Sequence, residues 1–133
     1  MSAQQTIPIR IYYEDTDAGG VVYHARYLHF FERARTEYLR SIGFTQQVLL
    51  REQQIAFVVK SLVIDYKFPA KLDDWLFVET EIVAIKGATI LFKQYLKRDT
   101  DVLSMADVKV ACVDLNKMKP VAIPDELKAA FLK

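Results

Sequence analysis

One cysteine in 133 residues leaves nothing with which to form an intrachain disulfide. Cys112 lies on the apolar parity of Val108–Val113, so it reads as a buried thiol acting as a small hydrophobe. An excess of either charge is missing too: 18 basic residues face 17 acidic ones, interspersed, for a net charge of +1. That excludes the basic stripe of a nucleic-acid binder and any charged tail. Glycine and proline are scarce, four of each, and there is no repeat, low-complexity tract or linker. No apolar run approaches the ~20 residues of a membrane span. The opening MSAQQTIPIR has no apolar signal core. A soluble, cytoplasmic protein is expected.

What is abundant is apolar surface. The hydrophobic fraction of 52% is high for a soluble domain, and part of it is expected to lie between subunits. Residues 1–133 read as one domain, long enough to bury a core without a metal or disulfide staple.

Ile7 to Glu14 nearly alternates and reads as a strand, with Pro8 near its start, broken by Gly19-Gly20. From about Val22 to Ile42 the period becomes helical. Tyr27, Phe31, Ala34, Tyr38 and Ile42 form a stripe that Phe30 widens, and Gly43 stands where a helix stop belongs. Leu28, Arg35 and Leu39 lie alongside it. Thr45 to Glu52 suggests a short second helix. Four strands follow: Ile55–Phe68, Leu76–Ile85, Thr89–Arg98 and Val102–Asp114. Turns at Lys86-Gly87-Ala88 and Arg98–Asp101 are too short for parallel crossovers, so the neighbours are antiparallel. Pro124 to Leu132 reads as a terminal helix. The class is α+β: one long helix against one face of a curved antiparallel sheet of about five strands.

The densest chemistry lies between Tyr12 and Arg35. Glu14, Asp15 and Asp17 crowd together ahead of Gly19-Gly20 and the helix start. Like charges so close cost energy unless something uses or offsets them. A carboxylate beside a helix N-terminus can attack, or activate water, where free N–H groups hold a developing oxyanion. The plainer reading makes Asp17 a turn or capping aspartate.

Other chemistries find little support. A calcium loop starting at Asp15 would need an acid at its twelfth position, where Arg26 stands. His24 and His29 are five residues apart, outside helical metal-ligand spacing, so no metal is expected. His24 lies near Asp17 and is placed to hydrogen-bond a carboxylate or substrate, whereas His29 is expected to face solvent. None of Ser2, Ser41, Ser61 and Ser104 sits in a nucleophile elbow, and neither a phosphate loop nor a dinucleotide fingerprint is present. Lys60, Lys86 and Lys119 read as strand-end or turn lysines. They are either solvated or in contact with phosphates of a ligand.

The block DTDAGGVVYHARYLHFFERAR resembles the signature of hotdog-fold thioesterases of the 4-hydroxybenzoyl-CoA thioesterase type. It resembles more closely the bacterial acyl-CoA thioesterases associated with the Tol–Pal envelope system. The likeness continues through Phe57–Lys60, Tyr66, Pro69–Asp74 and Lys117–Pro120 and covers nearly the whole chain. It implies a long helix wrapped by the sheet, and dimers or tetramers with active sites at the subunit interface. It implies acyl-coenzyme A as substrate, no separate cofactor, and a place in lipid metabolism. An acyl carrier protein is a further candidate partner. Asp17 corresponds to the catalytic carboxylate, with Tyr13 and His24 in or beside the site. Gly20 belongs to the same turn, and N–H groups near Val22, Tyr23 and His24 would polarise the thioester carbonyl. Two alternatives stand beside this reading. One is a hotdog dehydratase of 3-hydroxyacyl thioesters, whose His-Phe-Pro block is absent. The other is a non-catalytic acyl-binding adaptor, against which the presence of Asp17, Gly20 and His24 argues.

Overall fold

The structure, a computed structural model, describes residues 4–131. β1 (Gln4–Arg10) runs into a 3-10 turn (Tyr13–Asp15), and the central helix α1 spans Arg26–Ser41. A short α2 (Gln46–Val48) continues as a π-helical turn, Leu49–Gln53. Then come β2 (Ile55–Tyr66), β3 (Trp75–Lys86), β4 (Thr89–Arg98), β5 (Asp101–Asp114), the two-residue β6 (Lys119–Pro120) and α3 (Asp125–Phe131). All pairings are antiparallel, in the order β1-β3-β4-β5-β2, with β6 added to β5. This is the α+β hotdog arrangement.

The helical stripe became the core. Tyr27, Phe30, Phe31, Ala34, Tyr38 and Leu39 are buried along α1. They meet Leu76, Val78 and Ile82 from β3, Leu96 from β4 and Val108 from β5. Each Leu, Ile, Val or Phe among them contributes roughly 1.5–3 kcal/mol on burial. α1 ends as its sequence implies: Ile42 is the C-cap and Gly43 follows at φ 94°, where only glycine is unstrained.

Besides shifts of one or two residues at several strand ends, three features differ from expectation. β1 stops at Arg10, because Glu14 and its neighbours turn into the 3-10 helix. α1 starts at Arg26 rather than Val22, because Val22 is drawn into a bridge with Thr16. Lys60 is no strand-end residue. It is the extra residue of a bulge inside β2, between Val59 opposite Val110 and Ser61 opposite Lys109.

Both edges of the sheet have character. β1 tolerates Pro8 because it pairs only with β3. β2 is the opposite edge, twelve residues long, and exposes Val58, Val59 and Val63, the last at 63%. A long apolar edge strand is a template for pairing with another chain.

Beside Asp15, a second charged group is buried. Arg35, only 8% exposed, donates from Nη1 to Gln94 Oε1 at 2.9 Å. Gln94 Nε2 donates in turn to the Phe31 carbonyl and to Thr80 Oγ1, both at 2.9 Å. Burial pushes the Arg35 guanidinium below its ordinary value, and the charge of Glu32 opposes that shift.

Candidate active site

The acidic cluster divides into separate roles. Asp15 is buried: its Oδ2 accepts the Tyr12 N–H at 2.9 Å and its Oδ1 lies 3.7 Å from Arg26 Nε. Glu14 also faces Arg26, at 3.7 Å. These two carboxylates anchor the loop to the first turn of α1, which is how like charges so close are offset. Asp17 is the remaining acid, and it is exposed.

Asp17 sits at the start of a tight turn. Its N–H donates to the Val21 carbonyl at 2.9 Å and its own carbonyl accepts from Gly20 N–H at 3.1 Å. Oδ1 accepts the Gly19 N–H at 2.8 Å. Gly20 closes the turn at φ 80°, a conformation that a side chain would strain. The turn-aspartate reading is therefore part of the geometry, but it engages one carboxylate oxygen. Oδ2 has no hydrogen-bond partner among the described residues. Asp17 does not cap α1, whose N-cap is Ala25 with no side-chain cap.

The backbone donors are similarly sorted. Val22 N–H donates to the Ala70 carbonyl at 2.8 Å and Tyr23 N–H to the Asp15 carbonyl at 2.9 Å. Those two expected oxyanion donors are spent within the chain. The first helical N–H groups, from Arg26 to Leu28, are also engaged, with the carbonyls of Tyr23, His24 and Ala25. The His24 N–H has no acceptor among the described residues. It is the donor of the three that is left to face a ligand.

The His24 backbone is held from outside. Tyr66, the last residue of β2, donates its hydroxyl to the His24 carbonyl at 2.9 Å. The Tyr66 ring stands edge-on to Tyr27, 4.9 Å between centroids. Tyr27 Oη accepts the Ala70 N–H at 3.0 Å, and burial raises its pKa, so it stays a neutral phenol. Val21 bridges to Lys71, and Asp74 Oδ2 ties that segment down by accepting from Lys71 N–H and Arg98 Nη1, each at 2.9 Å. The motif Pro69–Asp74 thus acts as the brace under the loop.

A groove of about 290 Å³ opens here, lined by Val22, His24, Tyr27, Tyr66, Lys67 and Phe68, with Pro69 at its end. Sequence reasoning passed over Tyr66 as a site residue and missed Lys67. Their signal was position: Tyr66 ends β2 and Lys67 follows it, where the strand meets the turn before α1. Tyr13 is 82% exposed on the same loop, and its carbonyl accepts from Thr16.

The three lysines singled out for phosphate contact are not brought to this groove. Lys86 is paired with Thr89, Thr89 with Ala111, and Lys119 with Asp114, which also faces Ile55. They mark the end of the sheet where β2 begins, whereas the Asp17 loop lies where β2 ends. Twelve residues of strand span roughly 40 Å when extended. Lys60 lies midway. In a single chain these lysines and Asp17 do not share a site.

The chain matches the family model of the thioesterase-like superfamily over residues 12–131. It is 74% identical over 126 residues to acyl-CoA thioesterase YbgC of Haemophilus influenzae, covering 95% of this chain and 93% of that one. It is 50% identical over 125 residues to acyl-CoA thioester hydrolase YbgC of Escherichia coli O6:H1, covering 93% and 92%. Among solved structures it superposes on a probable thioesterase from Bartonella henselae with a TM-score of 0.88 at 38% identity, covering 92% of this chain and 100% of that one.

Proposed function

The chain belongs to the thioesterase-like superfamily, and from that premise we propose that it hydrolyses the thioester of acyl-coenzyme A, with Asp17 as the reacting carboxylate. The observation that carries this is the free Oδ2 of Asp17 on the same short hairpin as the unengaged His24 N–H. One supplies basicity or nucleophilicity, the other a donor for the carbonyl oxygen.

A thioester carbonyl is electrophilic and its thiolate leaves readily, so these two groups suffice without a triad. In one route the carboxylate attacks the carbonyl carbon, the C–S bond breaks, and water hydrolyses the resulting anhydride. In the other, Asp17 takes a proton from water, which attacks instead. Both release free acid and coenzyme A, and neither calls for a cofactor. Gly20 lets the turn close, His24 lines the groove, and Tyr13 is exposed on the same loop.

In this reading the enzyme is a cytoplasmic homo-oligomer of lipid metabolism. The exposed valines of the β2 edge support self-pairing. Antiparallel pairing of two β2 strands would set the Ile55 end of one copy beside the Tyr66 end of the other. That would bring Lys86 and Lys119 from a second copy toward the groove, where Lys67 already offers a cation to the coenzyme A phosphates. No helix among the described residues is long and apolar enough to cross a membrane. An acyl carrier protein, as an alternative thioester donor, would use the same groove.

The test is a panel of acyl-CoA esters of graded length, with free thiol followed as it is released. Turnover with at least one ester is expected. Binding of the esters without thiol release would favour the adaptor instead.

A further inference from the structure

A second cavity lies away from the Asp17 loop. It holds about 200 Å³ under the second half of α1, walled by Leu39, Phe57, Val59, Ile90, Phe92 and Val110. Arg35 lines it, with Glu32 and Thr36 toward the rim. The wall mixes these apolar side chains with Arg35, Thr36 and Gln46, and a buried guanidinium there is a costly arrangement unless its charge is used. Among the described residues Arg35 has no carboxylate within ion-pair distance, and one hydrogen bond, to Gln94, engages it. A guanidinium offers five N–H donors. Glu32 is exposed, so solvent screens its repulsion of an incoming anion.

Phe57 and Val59 belong to the starting half of β2. Antiparallel pairing along that edge would therefore turn this cavity toward the Asp17 loop of a second copy. We propose that the cavity receives the far end of the acyl group and that Arg35 selects acyl groups ending in a hydrogen-bond acceptor, above all a carboxylate. This rests on the thioesterase reading. At about 30 Å³ per water-sized unit the cavity takes roughly seven heavy atoms, the length of a hexanedioyl group beyond its thioester carbon. Arg35 is a specificity-determining residue in this scheme, because a charge-assisted fork recognises a carboxylate where an alkyl end would leave its donors unpaired.

The test compares kcat/KM for hexanoyl-CoA and the hexanedioyl-CoA monothioester in the wild type and in Arg35→Met, which keeps apolar volume and removes the donors. The wild type should favour hexanedioyl-CoA by at least tenfold, and Arg35→Met should reverse the order. Equal rates, or a wild-type preference for hexanoyl-CoA, would overturn the assignment. Were Arg35→Met not to fold, the wild-type ratio still decides. Calorimetric titration of hexanedioate and hexanoate into the Asp17→Asn protein reads the cavity without turnover, and only hexanedioate should bind. Hexanedioate binding with no hydrolysis of any ester would defeat the thioesterase reading and leave the cavity assignment standing. Hydrolysis without discrimination would defeat the cavity assignment alone.

Discussion

Replacing Tyr66 with phenylalanine removes one oxygen from the wall of the groove and leaves the ring. The contact with Tyr27, 4.9 Å between centroids, survives. What is lost is the 2.9 Å hydrogen bond to the His24 carbonyl. A bond of this kind is worth about 0.5–1.5 kcal/mol net. The low end applies, because Tyr66 is partly exposed and the carbonyl keeps a second donor, the Tyr27 N–H at 3.3 Å. Stability should therefore fall by a few degrees in Tm at most. Turnover should suffer more, because the same bond fixes the backbone that presents the His24 N–H. If about 1 kcal/mol is lost from the transition state, kcat falls roughly fivefold. KM should change little, since Lys67 and Phe68 are untouched. Initial rates of thiol release across substrate concentration, beside a thermal melt, separate these effects. A folded Tyr66→Phe protein with wild-type kcat would refute the view that Tyr66 positions the oxyanion donor.

Two further outcomes are expected. Gly20→Ala meets no steric clash but must hold φ 80°, so it should destabilise the protein by about 1–2 kcal/mol and lower kcat, measured by denaturant melts and rates; an unchanged melt would show that the turn relaxes freely. Burial raises Tyr27 and Tyr38 above the ordinary 10.0 and Cys112 above 9.0. The native state therefore holds these protons more tightly than the unfolded chain does. Their contribution is fully present below pH 9 and is lost as pH rises through the native pKa values, so Tm should fall steadily above about pH 9. A Tm flat to pH 11 would contradict this.

Much of the architecture was legible because local signals agreed with tertiary ones. The Tyr27–Phe31–Ala34–Tyr38 stripe buried as its period required, Gly43 stopped the helix, and the turns at Gly87 and Asp99 closed antiparallel hairpins. The Asp17 loop was harder. Val22 and Tyr23 have the composition of a helix start, but partners distant in sequence or across the hairpin, the carbonyls of Ala70 and Asp15, claimed their N–H groups. No local pattern announces such a claim. Arg35 is the same lesson in the core. A charged residue beside an apolar stripe reads as a solvated edge, and only Gln94, 59 positions away, makes it a buried one. For the lysines, what the sequence hid is topology within one chain. Residue type marked Lys60, Lys86 and Lys119 as phosphate contacts, whereas strand direction put Lys67 at the groove.

The central claim is that Asp17 reacts, and Asp17→Asn tests it most directly. Asparagine keeps an Oδ1 acceptor for the Gly19 N–H, so the 2.8 Å bond that shapes the turn can persist. It removes the basicity and nucleophilicity of the second oxygen. With fold and oligomeric state unchanged, kcat across the acyl-CoA panel should drop at least a hundredfold, about 2.7 kcal/mol of barrier. A folded Asp17→Asn protein that releases thiol at near wild-type rate would contradict the account.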